Sequence, residues 1–170
     1  SRGVVESGAP LAVWRPASFN PDGVVDAMKV HAPLPKKPHE SVEQLEQQLT
    51  ACEDRAMAER IRRTIGRVRR LTPGPMHQLR VRVWRIGRGL FAAQPGEAYC
   101  SFQIELRRRL PDWAVTVMNV ADGWLGYIYD PDLADLDLYQ VWVSSVEAES
   151  MSVLTETTAS ALEGLASRGS

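Results

Sequence analysis

Cysteine is nearly absent: the 170 residues contain only Cys52 and Cys100. Two thiols build no disulfide framework, and no Cys-x-x-Cys spacing offers a zinc clamp. Two buried or half-buried thiols are expected, and they leave the redox compartment, and with it the localisation, open. Histidine is almost as scarce. His31 and His39 flank a proline-rich stretch and His77 precedes a strand pattern, so none has the i, i+4 helical spacing of a zincin motif. All three are expected at the surface or in linkers. No apolar run reaches the ~18 residues of a membrane-spanning helix, so no transmembrane segment is predicted. A Gly-x-Ser-x-Gly elbow, a P-loop and a dinucleotide fingerprint are also missing. The formal net charge of −1 favours neither nucleic acid nor membrane surfaces.

What remains is ordinary globular composition, 44% hydrophobic and 24% charged, sufficient for one core and short for two. Residues 1–23 hold six Gly or Pro breakers and predict an irregular segment, with a short strand at Leu11–Trp14. The segment lacks the apolar stretch of a signal peptide. Its start at Ser1 rather than Met fits a piece of a longer protein. Residues 24–167 form the predicted domain, and 168–170 a tail.

Val24–Ala32 reads as a strand running into a stiff, extended linker, Pro33–Pro38. Ser41 and Gln44 match a capping box. Apolar residues from Val42 to Leu71 then recur on one face, as one long helix or two joined by a tight bend near Asp54–Met57. Thr72-Pro73-Gly74-Pro75 ends it. Alternation at Leu79, Val81 and Val83, the Gly87-Arg88-Gly89 turn and Leu90–Ala93 predict a hairpin. Glu97 to Leu110 has helical spacing, Ala114–Val120 suits a buried central strand, and Trp124–Tyr129 and Tyr139–Val143 suggest two more strands. Val153 to Leu165 fit a closing amphipathic helix. The order predicts an α/β or α+β fold with a mixed sheet.

Two stretches are candidates for chemistry. In Gln94-Pro95-Gly96-Glu97 a strand ends, the chain turns, and a carboxylate opens the next predicted helix. The helix dipole would favour the ionised form of Glu97 by ~0.3–1 kcal/mol. Such a carboxylate serves as metal ligand or general base, although Glu is also a routine first-turn residue. In Asn119–Tyr127, Asp122, Trp124 and Tyr127 follow a strand, where ligands gather in α/β sheets; a plain Asp-Gly turn is the competing reading. A third feature is basic. Arg62, Arg63, Arg67, Arg69 and Arg70, then Arg80, Arg82, Arg85 and Arg88, would suit an anionic partner. With Trp84 as the one interleaved ring, a solvated face is expected and nucleic acid is not.

Taken in order, several pieces resemble the C-terminal half of the catalytic domain of neutral/alkaline non-lysosomal ceramidases and their smaller bacterial relatives. They are Val30-His31-Ala32-Pro33-Leu34-Pro35, a charged helical spacer, Pro95-Gly96-Glu97, Gly126-Tyr127 and Tyr139. The resemblance covers residues 24–145 and implies a partial domain of a zinc amidohydrolase of sphingolipid metabolism. Such an enzyme cleaves an N-acyl amide, with zinc lowering the pKa of the attacking water. It makes Glu97 a zinc ligand and Asp122, Trp124, Tyr127 and Tyr139 lining residues of a site for a lipid-like or amide substrate.

The sequence departs from the family's pattern at three points. Trp124 stands where the family carries a ligating Tyr, and indole offers a metal no lone pair. Asp122 replaces an Asn, and its carboxylate could reach the metal instead. Gln140 follows Tyr139 in place of Glu. The family's zinc histidines come from the N-terminal half, which nothing here matches; a companion segment or chain would have to supply them. The alternative is a non-catalytic binding or scaffold domain of the same fold. A module for an anionic partner, built on the arginines, is the third reading.

Overall fold

The structure, a computed structural model, describes residues 23–168; the strand predicted at Leu11–Trp14 lies outside them. Alternation of apolar and polar residues builds the first sheet. In β1 (Val25–Pro35) and β2 (Met76–Ile86), Ala32, Leu34, Leu79, Val81 and Val83 turn inward and are fully buried. The charged residues between them turn outward. Strand β1 pairs antiparallel with β2 along its whole length. It therefore runs on through Pro33 and Pro35, where a linker was expected. Proline is tolerated there because β1 is an edge strand.

The Gly87 turn closes the predicted hairpin onto β3 (Gly89–Ala93), and β5 (Ala114–Met118) pairs parallel with β3. The order is β1-β2-β3-β5. Strand β5 is thus an edge strand and not the central one its apolar run suggested. Val115 is buried in the main core, and Val117 packs against it.

One face of this sheet is covered by α5 (Ser150–Ala166), which lies across β1, β2 and β3. Helix α3 (Cys100–Arg109) packs beside α5 and β5. Phe102 and Leu106 of α3 and Leu154, Leu162 and Leu165 of α5 fill the main core. The C-terminal end of α5 leaves carbonyls without helical partners. The buried Arg85 of β2 donates to three of the last ones, most closely to Arg168 O at 2.6 Å. Arg168 in turn pairs with Asp26 at 3.0 Å, whose carboxyl is held below its ordinary range chiefly by that hydrogen bond.

The long apolar face splits into two helices, α1 (Val42–Ala51) and α2 (Arg55–Val68). The capping box forms as predicted: Gln44 N donates to Ser41 Oγ at 3.2 Å, and Ser41 N donates to Gln44 Oε1 at 2.8 Å. The break comes at Asp54, whose carboxylate accepts from Met57 N at 2.6 Å and starts α2. Leu45, Ile61 and Ile65 form a separate small core between the two helices.

Four more elements complete the described residues: β4 (Gly96–Ala98), β6 (Gly126–Ile128), a single 3-10 turn at Pro131–Leu133 and the short α4 (Tyr139–Val143). The last was predicted as a strand from its aromatic and β-branched residues. It is helical, with Leu138 O accepting from both Val141 N and Trp142 N. The mixed sheet and five helices make an α/β fold among the described residues.

Two surface expectations fail. Cys100 is exposed and only Cys52 is half-buried. His77 is buried, and its Nδ1 accepts from Thr72 N at 3.2 Å, which folds the 72–77 turn back on itself. Burial, followed by the charge of Lys36, pushes this imidazole below its ordinary pKa of 6.5. The unfolded chain therefore binds a proton that the folded chain refuses. Stability is full above pH 6.5 and falls as pH drops toward the lowered value, by at most one proton's worth of slope. His77→Asn keeps an acceptor without the titration. Urea unfolding at pH 5 and pH 7 should show a smaller difference in that variant than in wild type.

Candidate functional site

The parallel pairing of β3 with β5 stops at Ala93 and Met118 and resumes as β4 with β6, at Gly96 and Gly126. Two residues, Gln94 and Pro95, bridge the gap on one side, and the 119–125 loop bridges it on the other. This break builds the site. The loop folds tightly, with positive φ at Val120 (56°), Asp122 (63°) and Gly123 (137°). For a β-branched residue such as Val120 that conformation is a genuine outlier, held by surrounding contacts.

Those contacts centre on Gln94, which is fully buried. Its Nε2 donates to Gly96 O at 2.9 Å and to Asn119 Oδ1 at 2.7 Å, and its Oε1 accepts from Gly96 N. Asn119 Nδ2 reaches on to Ala98 O at 2.8 Å. Backbone bonds from Val120, Ala121 and Leu125 to Gly96, Gln94 and Pro95 fasten the rest of the loop. With the Gln94 amide buried and each of its polar atoms paired, the network is rigid at its centre.

On that platform Glu97 sits in the middle of β4. It does not open a helix: α3 begins three residues later, at Cys100, with Tyr99 as its N-cap. The dipole contribution expected from a first-turn position therefore does not apply. Instead Glu97 is half-buried, and its Oε1 accepts from the indole Nε1 of Trp124 at 2.7 Å. Tyr127, beside it on β6, has its phenol pKa raised, first by the negative charge of Glu97 and then by desolvation. Tyr127 meets Tyr139 edge to face at 6.2 Å, and Tyr139 meets Trp142 in the same way at 6.2 Å. One carboxylate thus stands between the indole of Trp124 and a file of three aromatic side chains, Tyr127, Tyr139 and Trp142. Tyr139 and Trp142 keep 58% and 62% of their surface exposed, so the file is open to a ligand or to further protein.

Glu97, Trp124, Tyr127 and Tyr139 are therefore brought together. Asp122 is directed elsewhere, although it is only two residues from Trp124. Its Oδ2 takes Arg82 Nη2 at 2.9 Å and Arg80 Nε at 3.2 Å. These partners, led by the Arg82 hydrogen bond, hold its carboxyl below the ordinary range. The ring of Trp124 also lies under Arg70, at 5.8 Å. Sequence reasoning missed Gln94 and Asn119, whose amides position everything else. The available signal was a polar residue placed directly after each of the two apolar strands.

Zinc in a catalytic site takes about three protein ligands. Among the described residues no group of three or more His, Cys, Asp and Glu side chains is placed to hold a metal ion. Glu97 brings a single carboxylate, and its nearest neighbour donates a hydrogen bond rather than a lone pair. The described residues therefore supply one of the ligands such a site takes.

No family model matches the chain, and no curated protein matches it. Solved structures do. A ceramidase complexed with C2 is 14% identical over 53% of this chain and 15% of its own, with a TM-score of 0.43. The neutral ceramidase of Pseudomonas aeruginosa is 12% identical, with a TM-score of 0.51; the match covers 84% of this chain and 29% of that one. This chain therefore spans less than a third of the length of either, and what it shares with the Pseudomonas enzyme is a fold.

Proposed function

We propose that the chain is the part of a ceramidase-like amidohydrolase that presents Glu97 and its aromatic file to a substrate site completed from outside these residues. The observation that carries this reading is the meeting of Glu97 with Trp124, Tyr127 and Tyr139 at the break in the parallel pairing. The fold shared with a neutral ceramidase supports it. In this reading Glu97 is one ligand of a zinc ion, and the remaining ligands belong to an upstream segment or a companion chain. The exposed rings of Tyr139 and Trp142 suit the apolar part of an N-acyl lipid. The test uses the whole gene product: metal content by plasma mass spectrometry, and fatty acid release from a short-chain N-acyl sphingoid base. Stoichiometric zinc with amide hydrolysis is expected. Zinc-free protein that leaves the amide intact would defeat the proposal.

The indole of Trp124 favours a second reading. A tryptophan N–H already satisfies the Glu97 oxygen, as it would in a non-catalytic domain that kept the fold and replaced a metal contact by a hydrogen bond. Such a protein binds N-acyl lipid without cleaving it, and the same two measurements separate the readings.

A further inference from the structure

We infer that the groove between the outer face of β1–β2 and the 122–125 turn is a binding site for a phosphate-class oxyanion. The groove encloses about 360 Å³, and its walls include Lys29, His31, Arg70, Gln78, Arg80 and Trp124. The alternation that buries Val81 and Val83 puts Arg80 and Arg82 on the opposite face. There the antiparallel register sets His31 across from Arg80 and Lys29 across from Arg82. Basic side chains directly opposite each other on a sheet repel. The fold answers with one carboxylate: Asp122 Oδ2 is shared between Arg80 and Arg82. Among the described residues Lys29 and Arg70 have no carboxylate partner, and Arg70 has only the face of Trp124. The groove thus keeps a surplus of positive charge after its own anion is counted.

A concave surface with such a surplus focuses field lines and concentrates anions. Arginine forks and an ammonium group match the several acceptor oxygens of a phosphate. The cavity is larger than a phosphate group alone. A ligand would carry its phosphate on a larger body, and Pro95, Trp124 and Leu125 give that body an apolar wall. The site lies across Trp124 from Glu97 and depends on neither reading of the metal.

The probes are inorganic phosphate, glycerol 3-phosphate, and phosphatidylcholine vesicles with and without phosphatidic acid. They are titrated calorimetrically into the whole gene product at low salt. Saturable binding that weakens as salt rises is expected. The double variant Lys29→Gln/Arg70→Gln removes two exposed charges that make no ion pair among the described residues, Arg70 giving up only its contact with the Trp124 face. It should lower affinity about tenfold or more, whereas Arg62→Gln/Arg63→Gln, with the same charge loss on α2, should change it less than about twofold. Binding of the soluble phosphates assigns a small-molecule ligand. Binding confined to vesicles with phosphatidic acid assigns a lipid headgroup. No binding to any probe, or equal losses in the two double variants, overturns the inference.

Discussion

In the amidohydrolase reading, replacing Glu97 with alanine should strip zinc and amidase activity from the whole gene product together, each by more than about a hundredfold. The bound is conservative, because losing a group that merely orients a ligand already costs about 10–100-fold in metal affinity. Trp124→Phe is the companion experiment. It keeps an aromatic ring beside Glu97 and deletes only the N–H that Glu97 Oε1 accepts at 2.7 Å. In the amidohydrolase reading that N–H fixes one carboxylate oxygen and leaves the other for the metal. Its loss should weaken zinc by about 10–100-fold while the protein's stability changes little. Competition with a chelator of known affinity measures both variants, and fatty acid release measures the consequence. In the non-catalytic reading wild type and both variants carry no zinc. Lipid binding then follows the rings instead, so that Tyr139→Ala weakens it and Glu97→Ala does not.

The sheet was legible wherever burial is one-sided and local. The period of two in residues 79–84 and the Gly87–Gly89 turn were enough for the hairpin, because each signal lies within a few residues of its partner. The capping box at Ser41 and the apolar stripe after it were legible for the same reason. Strand β4 was not. Gly96, Glu97 and Ala98 have no strand propensity to speak of; they are extended because β6, thirty residues on, supplies a parallel partner. A pairing of that separation leaves no local trace, and the helical spacing from Phe102 onward was extrapolated back over it. Tyr139–Val143 failed in the other direction: strand-favouring side chains wind into one helical turn where no sheet edge is paired with them.

The site shows the same division. The pattern pointed to Glu97, Trp124, Tyr127 and Tyr139 as separate residues, but their meeting depends on a loop with positive φ at Val120, Asp122 and Gly123 and on the buried amide of Gln94 bonded to the exposed amide of Asn119. Asp122 illustrates the limit. Its sequence position beside Trp124 suggested a shared role, whereas the charge of β2 decides its direction: two guanidinium groups on one carboxylate outweigh proximity along the chain. His31 and His39 are exposed as expected, and His77 alone was misjudged, for a similar reason. Nothing in the residues around His77 signals that a turn folds back over it and takes its ring nitrogen as an acceptor.

Two glycine-to-alanine substitutions should move stability in opposite directions, and the difference tests the platform beneath Glu97. At Gly96 a Cβ would stand 2.6 Å from Ile128 Cδ1 and 2.7 Å from Gln94 Oε1. Both neighbours belong to residues that are completely buried. Ile128 has little room to turn away, and Gln94 cannot withdraw without giving up its bonds to Gly96 and Asn119. Gly96→Ala should therefore cost about 1–3 kcal/mol, the usual range for overpacking a filled core. At Gly164, within α5, a Cβ meets nothing within 4 Å. There alanine only restricts the unfolded chain and favours the helix, so Gly164→Ala should stabilise by about 0.4–1 kcal/mol. Urea unfolding followed by circular dichroism measures both. If Gly96→Ala is neutral, β4 is not pressed against β6 and Gln94, and the carboxylate of Glu97 lacks the rigid support that a ligand or metal would need.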